Sequence, residues 1–239
     1  MYIYDEKAAN KTFLNVQEVH DLLDKKYPKS NLGNKRNPLN ELVYIVLSSQ
    51  TNEALYQAVY KSFRRQFPRW KDVIEASLEE ISAAIRRGGM GEVKARYIKG
   101  IAIRLMNDLG EVSLRRLRDM TTEEAETYLC SLPGVGIKTA RCVLMYSFDR
   151  DVFPLDVHCI RVISRLSWVD WYGQRPDRLA NEAQAGIPEP LRKSLHIRLV
   201  QHGRAVCRPQ PVCSNCVLAD LCPSYSAAIS PGSHLRQID

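Results

Sequence analysis

A chain of 239 residues can bury roughly 70–75% of its unfolded surface, so no disulfides are needed to hold a core. With 45% hydrophobic and 26% charged residues it is neither a disordered polar chain nor a membrane protein, and its longest apolar run, Leu42 to Leu47, is far short of a membrane span. A net charge of +7 points to an anionic partner without proving one.

The first residues, "MYIYDEKAANK", lack the basic start and apolar core of a signal peptide. An intracellular protein is therefore expected, in the cytoplasm or nucleoid if the source is prokaryotic. The first helical pattern is "VQEVHDLLDKKY", with Val16, Val19, Leu22 and Leu23 on one face. A break at 28–40 precedes "ELVYIVLSSQT". Then "EALYQAVYKSFRRQF" repeats apolar residues at Leu55, Val59, Phe63 and Phe67. In "SLEEISAAIRR", Ser77 stands three residues before Glu80, the spacing of a capping box, and apolar positions recur at Leu78, Ile81 and Ile85. Residues 61–104 carry eleven Lys and Arg against five Asp and Glu, which accounts for most of the positive excess. A second break, "GGMG" at 88–91, falls inside this basic stretch.

Thr121 and Glu124 repeat the capping-box spacing before "AETYLCSL". The segment "CSLPGVGIKTA" at 130–140 reads as a hairpin between two helices: Thr121 to Ser131, a turn at Pro133 to Gly136, and a second helix from Ile137. Gly134 and Gly136 leave backbone N–H groups open at the start of that helix, which favours a phosphate through hydrogen bonds and the helix dipole. Lys138 follows two residues later and could be a phosphate contact, a solvated helix residue or a nucleophile. Asp156 precedes another apolar helical run in "FPLDVHCIRVISRL", where it would serve by itself as a helix N-cap. A further break is expected at 173–178. No segment alternates long enough to argue for a sheet, and the class is all-α.

Four of the seven cysteines lie within sixteen residues: Cys207, Cys213, Cys216 and Cys222, spaced C-x5-C-x2-C-x5-C. Four thiolates around one centre suit a tetrahedral zinc or a [4Fe–4S] cluster, and spacing does not choose between them. Cys130, Cys142 and Cys159 have apolar neighbours and are expected in the core. The tail "SPGSHLRQID" has little to bury and is expected to be mobile.

Taken together, "LPGVGIKTA", "LDVHCIRVISRL" and "LVQHGRAVC" running into the cysteine loop resemble the helix–hairpin–helix DNA glycosylases of the endonuclease III family. "ELVYIVLSSQT" and "GGMGEVKARYI" resemble the two loops with which that family enters DNA, and the likeness runs from about Val16 to Cys222. It implies a two-lobed all-helical fold: a six-helix domain at 31–150 carrying the hairpin, and a second domain of 1–30 plus 151–239 holding a [4Fe–4S] cluster on the four cysteines. The implied partner is double-stranded DNA with a damaged base or an abasic site, bound by a monomer away from any membrane. By position, Lys138 would be the amine nucleophile and Asp156 the catalytic carboxylate. Gln50 would fill the vacated stack, Met90 would wedge from the other loop, and His158 would face the base pocket.

Lysine at position 138 distinguishes the chain from the related adenine glycosylases and implies a bifunctional glycosylase and AP lyase. Some positions depart from the pattern. The first cysteine gap is one residue shorter than usual, Met90 stands where Leu is more frequent, and Glu53 replaces the usual Asp. "RGGMGEVKARYI" and "FPLDVHCIRVISRLSW" also resemble the plant 5-methylcytosine glycosylases of the same superfamily. The expected substrate is an oxidised pyrimidine, the alternatives a methylated or deaminated base, and the non-enzymatic alternative a helix–hairpin–helix DNA-binding module.

Overall fold

The computed structural model describes residues 13–28 and 32–229. The tail at 230–239 and the side chain of Glu53 lie outside the described residues. Among those described there are α-helices and short 3-10 turns and no strand. The chain divides into two compact units, one of Gly33–Arg150 and one joining the described residues of Met1–Leu32 to those of Asp151–Asp239.

The Gly33–Arg150 unit holds α2 (Pro38–Ser48), α3 (Glu53–Gln66), α4 (Trp70–Glu75), α5 (Leu78–Ile85), α6 (Gly91–Leu109), α7 (Thr122–Cys130) and α8 (Ile137–Ser147). The shortest of these is the six-residue α4. The centre is α2, which is apolar almost all round and is packed on by α3, α6 and α8. A helix with no polar face has no stable place at a surface. Phe63, Ile98 and Leu105 from α3 and α6 and Ile81 from α5 are fully enclosed, each contributing roughly 1.5–3 kcal/mol through removal from water.

Both capping boxes form as the spacing predicts. Ser77 Oγ accepts from Glu80 N at 3.1 Å while Ser77 N donates to Glu80 Oε2 at 2.7 Å, and Thr121 and Glu124 repeat the pair at 3.1 and 2.8 Å. Two apolar positions shift. On α3 the buried face runs through Tyr56, Val59, Tyr60 and Phe63, with Leu55 half-buried, and Leu78 is exposed as the first residue of α5. Cys142 and Cys159 are buried as expected. Cys130 is not: it ends α7 on the exposed side and does not belong to the core.

The other unit is built from α1 (Val16–Lys26), α9 (Val157–Arg165), α10 (Pro176–Gly186), α11 (Glu189–Ala205) and α12 (Pro223–Ile229). Helix α11 packs on α1 and on α9. Val16, Val19 and Leu23 are the buried stripe of α1, with Leu22 half-buried. The buried Arg198 of α11 donates through Nε to Asp24 of α1 at 2.9 Å, and His20 meets Ser194 Oγ at 2.8 Å. Phe13 stacks on Trp168, whose indole N–H donates to Leu14 O. These long-range contacts tie the N-terminal helix to elements far along the chain.

Candidate active site and nucleic-acid interface

In the Gly33–Arg150 unit the turn at 133–136 joins α7 to α8 as the sequence pattern predicts. Gly134 sits at φ +72°, a conformation that L side chains avoid, and a Cβ there would lie 2.3 Å from the ring of Tyr97 on α6. Gly134 is therefore required by the close passage of α6. Gly136 differs: it is exposed, and a Cβ would meet nothing within 4 Å. The open space lies beside the N-cap of α8, where the first N–H groups of the helix lack intrahelical partners. An anion is favoured there on two counts, hydrogen bonding and the dipole.

Lys138 is the second residue of α8 and half-buried. Within its electrostatic reach lies Glu41, a fully buried carboxyl on α2. Burial pushes the Glu41 carboxyl up, opposed by hydrogen bonds from Lys35 N (2.5 Å) and the Asn34 amide and by the charges of Lys35 and Lys138. Nothing in the helical period marked Glu41 as functional, since it occupies one position of an otherwise apolar helix.

Gln50 follows the end of α2, and Met90 caps the start of α6. Both are exposed and both have left-handed backbones, at φ 53° and 52°. Such geometry costs on the order of 1 kcal/mol or more for a residue other than glycine and persists only where the surroundings impose it. The surroundings are visible. Thr51 Oγ1 lies 2.6 Å from Gly88 O, and the ammonium of Lys94 contacts Leu47 O, Thr51 Oγ1 and Gly88 O at 3.1, 3.0 and 2.9 Å. Lys94 is buried, so one of the eleven basic residues of 61–104 faces inward. Arg64 and Lys99 likewise donate to backbone carbonyls, of Phe67 and Pro68 and of Ala76. Part of that positive excess holds helix ends in place.

In the other unit, Asp156 is the N-cap of α9, its Oδ1 accepting from Cys159 N at 2.8 Å. His158 is half-buried, and its Nδ1 accepts from Arg161 at 3.1 Å. Burial holds the imidazole's pKa below the usual range, opposed by the Asp156 carboxylate and by a hydrogen bond to the Gly203 backbone. The helix carrying both residues is packed tightly: a Cβ on Gly203 of α11 would fall 2.8 Å from His158 Cβ.

Two arginines of α9 that sequence reasoning missed reach the cysteine loop. Arg161 donates to Cys207 O at 2.7 Å and Gly203 O at 2.8 Å, and Arg165 to Cys207 Sγ at 3.1 Å and Arg208 O at 2.8 Å. Their i,i+4 spacing places them on one face of α9, but the distance to residue 207 hides the partner. None of the four loop cysteines is in a disulfide. Burial, followed by repulsion from the other cysteines, pushes the thiols of Cys216 and Cys222 up. Bound cations would relieve that repulsion. Among the described residues no three His, Cys, Asp or Glu side chains stand close enough to hold a single metal ion.

Residues 43–189 match the family described as the HhH-GPD superfamily base excision DNA repair protein. The chain is 37% identical over 74% of its length to an Arabidopsis thaliana protein named as a DNA glycosylase, of which it spans 58%. It is 31% identical over 91% of its length to endonuclease III of Sulfolobus acidocaldarius, spanning 96% of that protein. A trapped covalent endonuclease III–DNA intermediate, an estranged-adenine complex, is similar in structure with a TM-score of 0.78 and 28% identity, over 90% of this chain and 98% of that one.

Proposed function

We propose that this chain, which belongs to the HhH-GPD superfamily of base excision DNA repair proteins, removes oxidised pyrimidines from duplex DNA and then cleaves the strand as an AP lyase. It is a DNA glycosylase of the endonuclease III type. The observation that carries the lyase part is Lys138, half-buried in the first turn of α8, two residues after the exposed Gly136. In its neutral form an amine at that position can act as a nucleophile.

A base within a duplex is out of reach, so the nucleotide rotates out at a cost of a few kcal/mol. Gln50 fills the vacated space and Met90 wedges from the second loop, an apolar side chain suited to unstacking a base step. As the glycosidic bond breaks, the bonding pair leaves with the base and positive charge develops on the sugar. The Asp156 carboxylate offsets that charge. The Lys138 amine bonds to C1′ and gives up a proton. The C1′–O4′ bond then breaks, its electron pair and a proton going to O4′, and the opened sugar is left as a Schiff base on the lysine. Loss of a C2′ proton to Asp156 or water then expels the 3′ phosphate by β-elimination. His158, two residues after Asp156, faces the base pocket, and the amides beside Gly136 hold a backbone phosphate.

For the cofactor, we assign Cys207, Cys213, Cys216 and Cys222 as thiolate ligands of a [4Fe–4S] cluster. The C-x5-C-x2-C-x5-C spacing offers four thiolates, one for each iron of such a cluster. When bound, the cluster organises the loop and supplies no step of base removal. Cys213→Ser is expected to lower iron content, weaken the yellow-brown colour and reduce thermal stability, since part of the binding energy is folding energy. Unchanged iron and an unchanged melting temperature would contradict the ligand set.

Substrate choice is tested with a panel of duplexes carrying thymine glycol, dihydrouracil, uracil, 5-methylcytosine, 8-oxoguanine or an abasic site. Cleavage of the thymine glycol, dihydrouracil and abasic duplexes is expected. Excision confined to 5-methylcytosine or uracil would reassign the substrate. No cleavage of any member, the abasic duplex included, would leave only a DNA-binding role.

A further inference from the structure

We propose that Lys94 is a positioning residue for base extrusion, joining the loop that carries Gln50 to the loop that carries Met90 so that the two side chains enter DNA as one rigid pair. The inference rests on the proposed role of Gln50 and Met90 as wedges.

The geometry is that of a staple. Lys94 lies one turn into α6, and its backbone N–H donates to Met90 O at 3.0 Å. Its ammonium has three protons and three acceptors: Leu47 O, Thr51 Oγ1 and Gly88 O. Leu47 O belongs to the last turn of α2, and Gly88 O ends the 3-10 turn Arg86–Gly88, so both are carbonyls left over where a helix stops. A cation is favoured at such C-termini, and a buried one is tolerated only when every proton is used. Thr51, the residue after Gln50, donates to Gly88 O across the same gap. Lys94 is thus bonded to the chain three residues before Gln50, to the residue after it, and to the chain two residues before Met90. The paired left-handed backbones of Gln50 and Met90 are held open by this junction. An apolar residue at 94 would fill the space but leave three carbonyl or hydroxyl oxygens competing for too few donors, and the loops could separate.

The test uses the full chain at saturating concentration on a duplex with a tetrahydrofuran abasic analogue opposite 2-aminopurine, whose fluorescence rises when it is unstacked. Lys94→Met and Thr51→Val are expected to cut the rise by about tenfold, the scale of losing a hydrogen bond to a charged group. Thr51→Ser, which restores the hydroxyl, should keep it. Circular dichroism melts establish that each variant is folded; if Lys94→Met is not, Thr51→Val decides, because it removes one oxygen at constant shape. Folded Lys94→Met and Thr51→Val proteins with a wild-type rise would overturn the proposal, as would a Thr51→Ser protein no better than Thr51→Val. Gln50→Ala and Met90→Ala separate the two readings. A full rise in both removes the wedge assignment itself. A lost rise in both beside an intact one in Thr51→Val removes only the role of Lys94.

Discussion

Lys138→Gln is expected to yield no borohydride-trapped covalent adduct and no strand cleavage, while the protein stays folded and binds duplex DNA. The expectation comes from where the lysine sits. It is the second residue of α8, half-buried, and the buried side of that helix is formed by Ala140, Cys142, Val143, Leu144 and Met145. Glutamine is a comparable helix former of similar length, so neither the helix nor the core is disturbed. It lacks an amine able to form and lose a bond to C1′, and the Schiff base cannot arise without one. The trapping gel reads this directly, because borohydride reduces the imine to a stable amine that retards the protein. An adduct that survives in the variant would place the nucleophile at another residue. Base release measured separately, with alkali added to break abasic strands, should outlast lyase activity, since water can attack in place of the amine.

Asp156→Asn is expected to slow base excision by roughly 100-fold or more, the usual scale for losing one well-placed electrostatic stabiliser. The structure permits a clean substitution. Asp156 caps α9 through Oδ1 and the N–H of Cys159, and asparagine caps about as well as aspartate. Stability should therefore hold, whereas Asp156→Ala, lacking the cap, should lose about 1 kcal/mol in a denaturant melt. Trapping on a pre-formed abasic site should fall less than excision in the Asn variant, because no glycosidic bond remains to break. If Asp156→Asn excised thymine glycol at the wild-type rate, the carboxylate would be a cap and nothing more.

Much of this protein could be read from local spacing. Ser77 with Glu80 and Thr121 with Glu124 marked helix starts that the structure reproduces bond for bond, because a capping box closes within four residues. The turn between Ser131 and Ile137 and the cap at Asp156 were legible for the same reason. Family membership was legible because the motifs occur in order along nearly the whole chain, and the match over residues 43–189 agrees.

Other features needed the fold. At Gly134 the nearby Tyr97 ring adds a steric demand from a different helix, which the turn sequence alone does not show. Cys130 had apolar sequence neighbours and still faces outward, since its place at the end of α7 depends on what the neighbouring helices leave uncovered. Lys94 is one of eleven basic residues in its segment, and only the fold shows that its ammonium is buried on oxygens of residues 47, 51 and 88. The sequence by itself determined the class, the helix starts and the set of chemical groups, because periodicity, caps and motif order act over a few residues at a time. Tertiary structure decided which charges turn inward and which glycines are crowded, because burial is set by partners that are distant in the chain and adjacent only after folding.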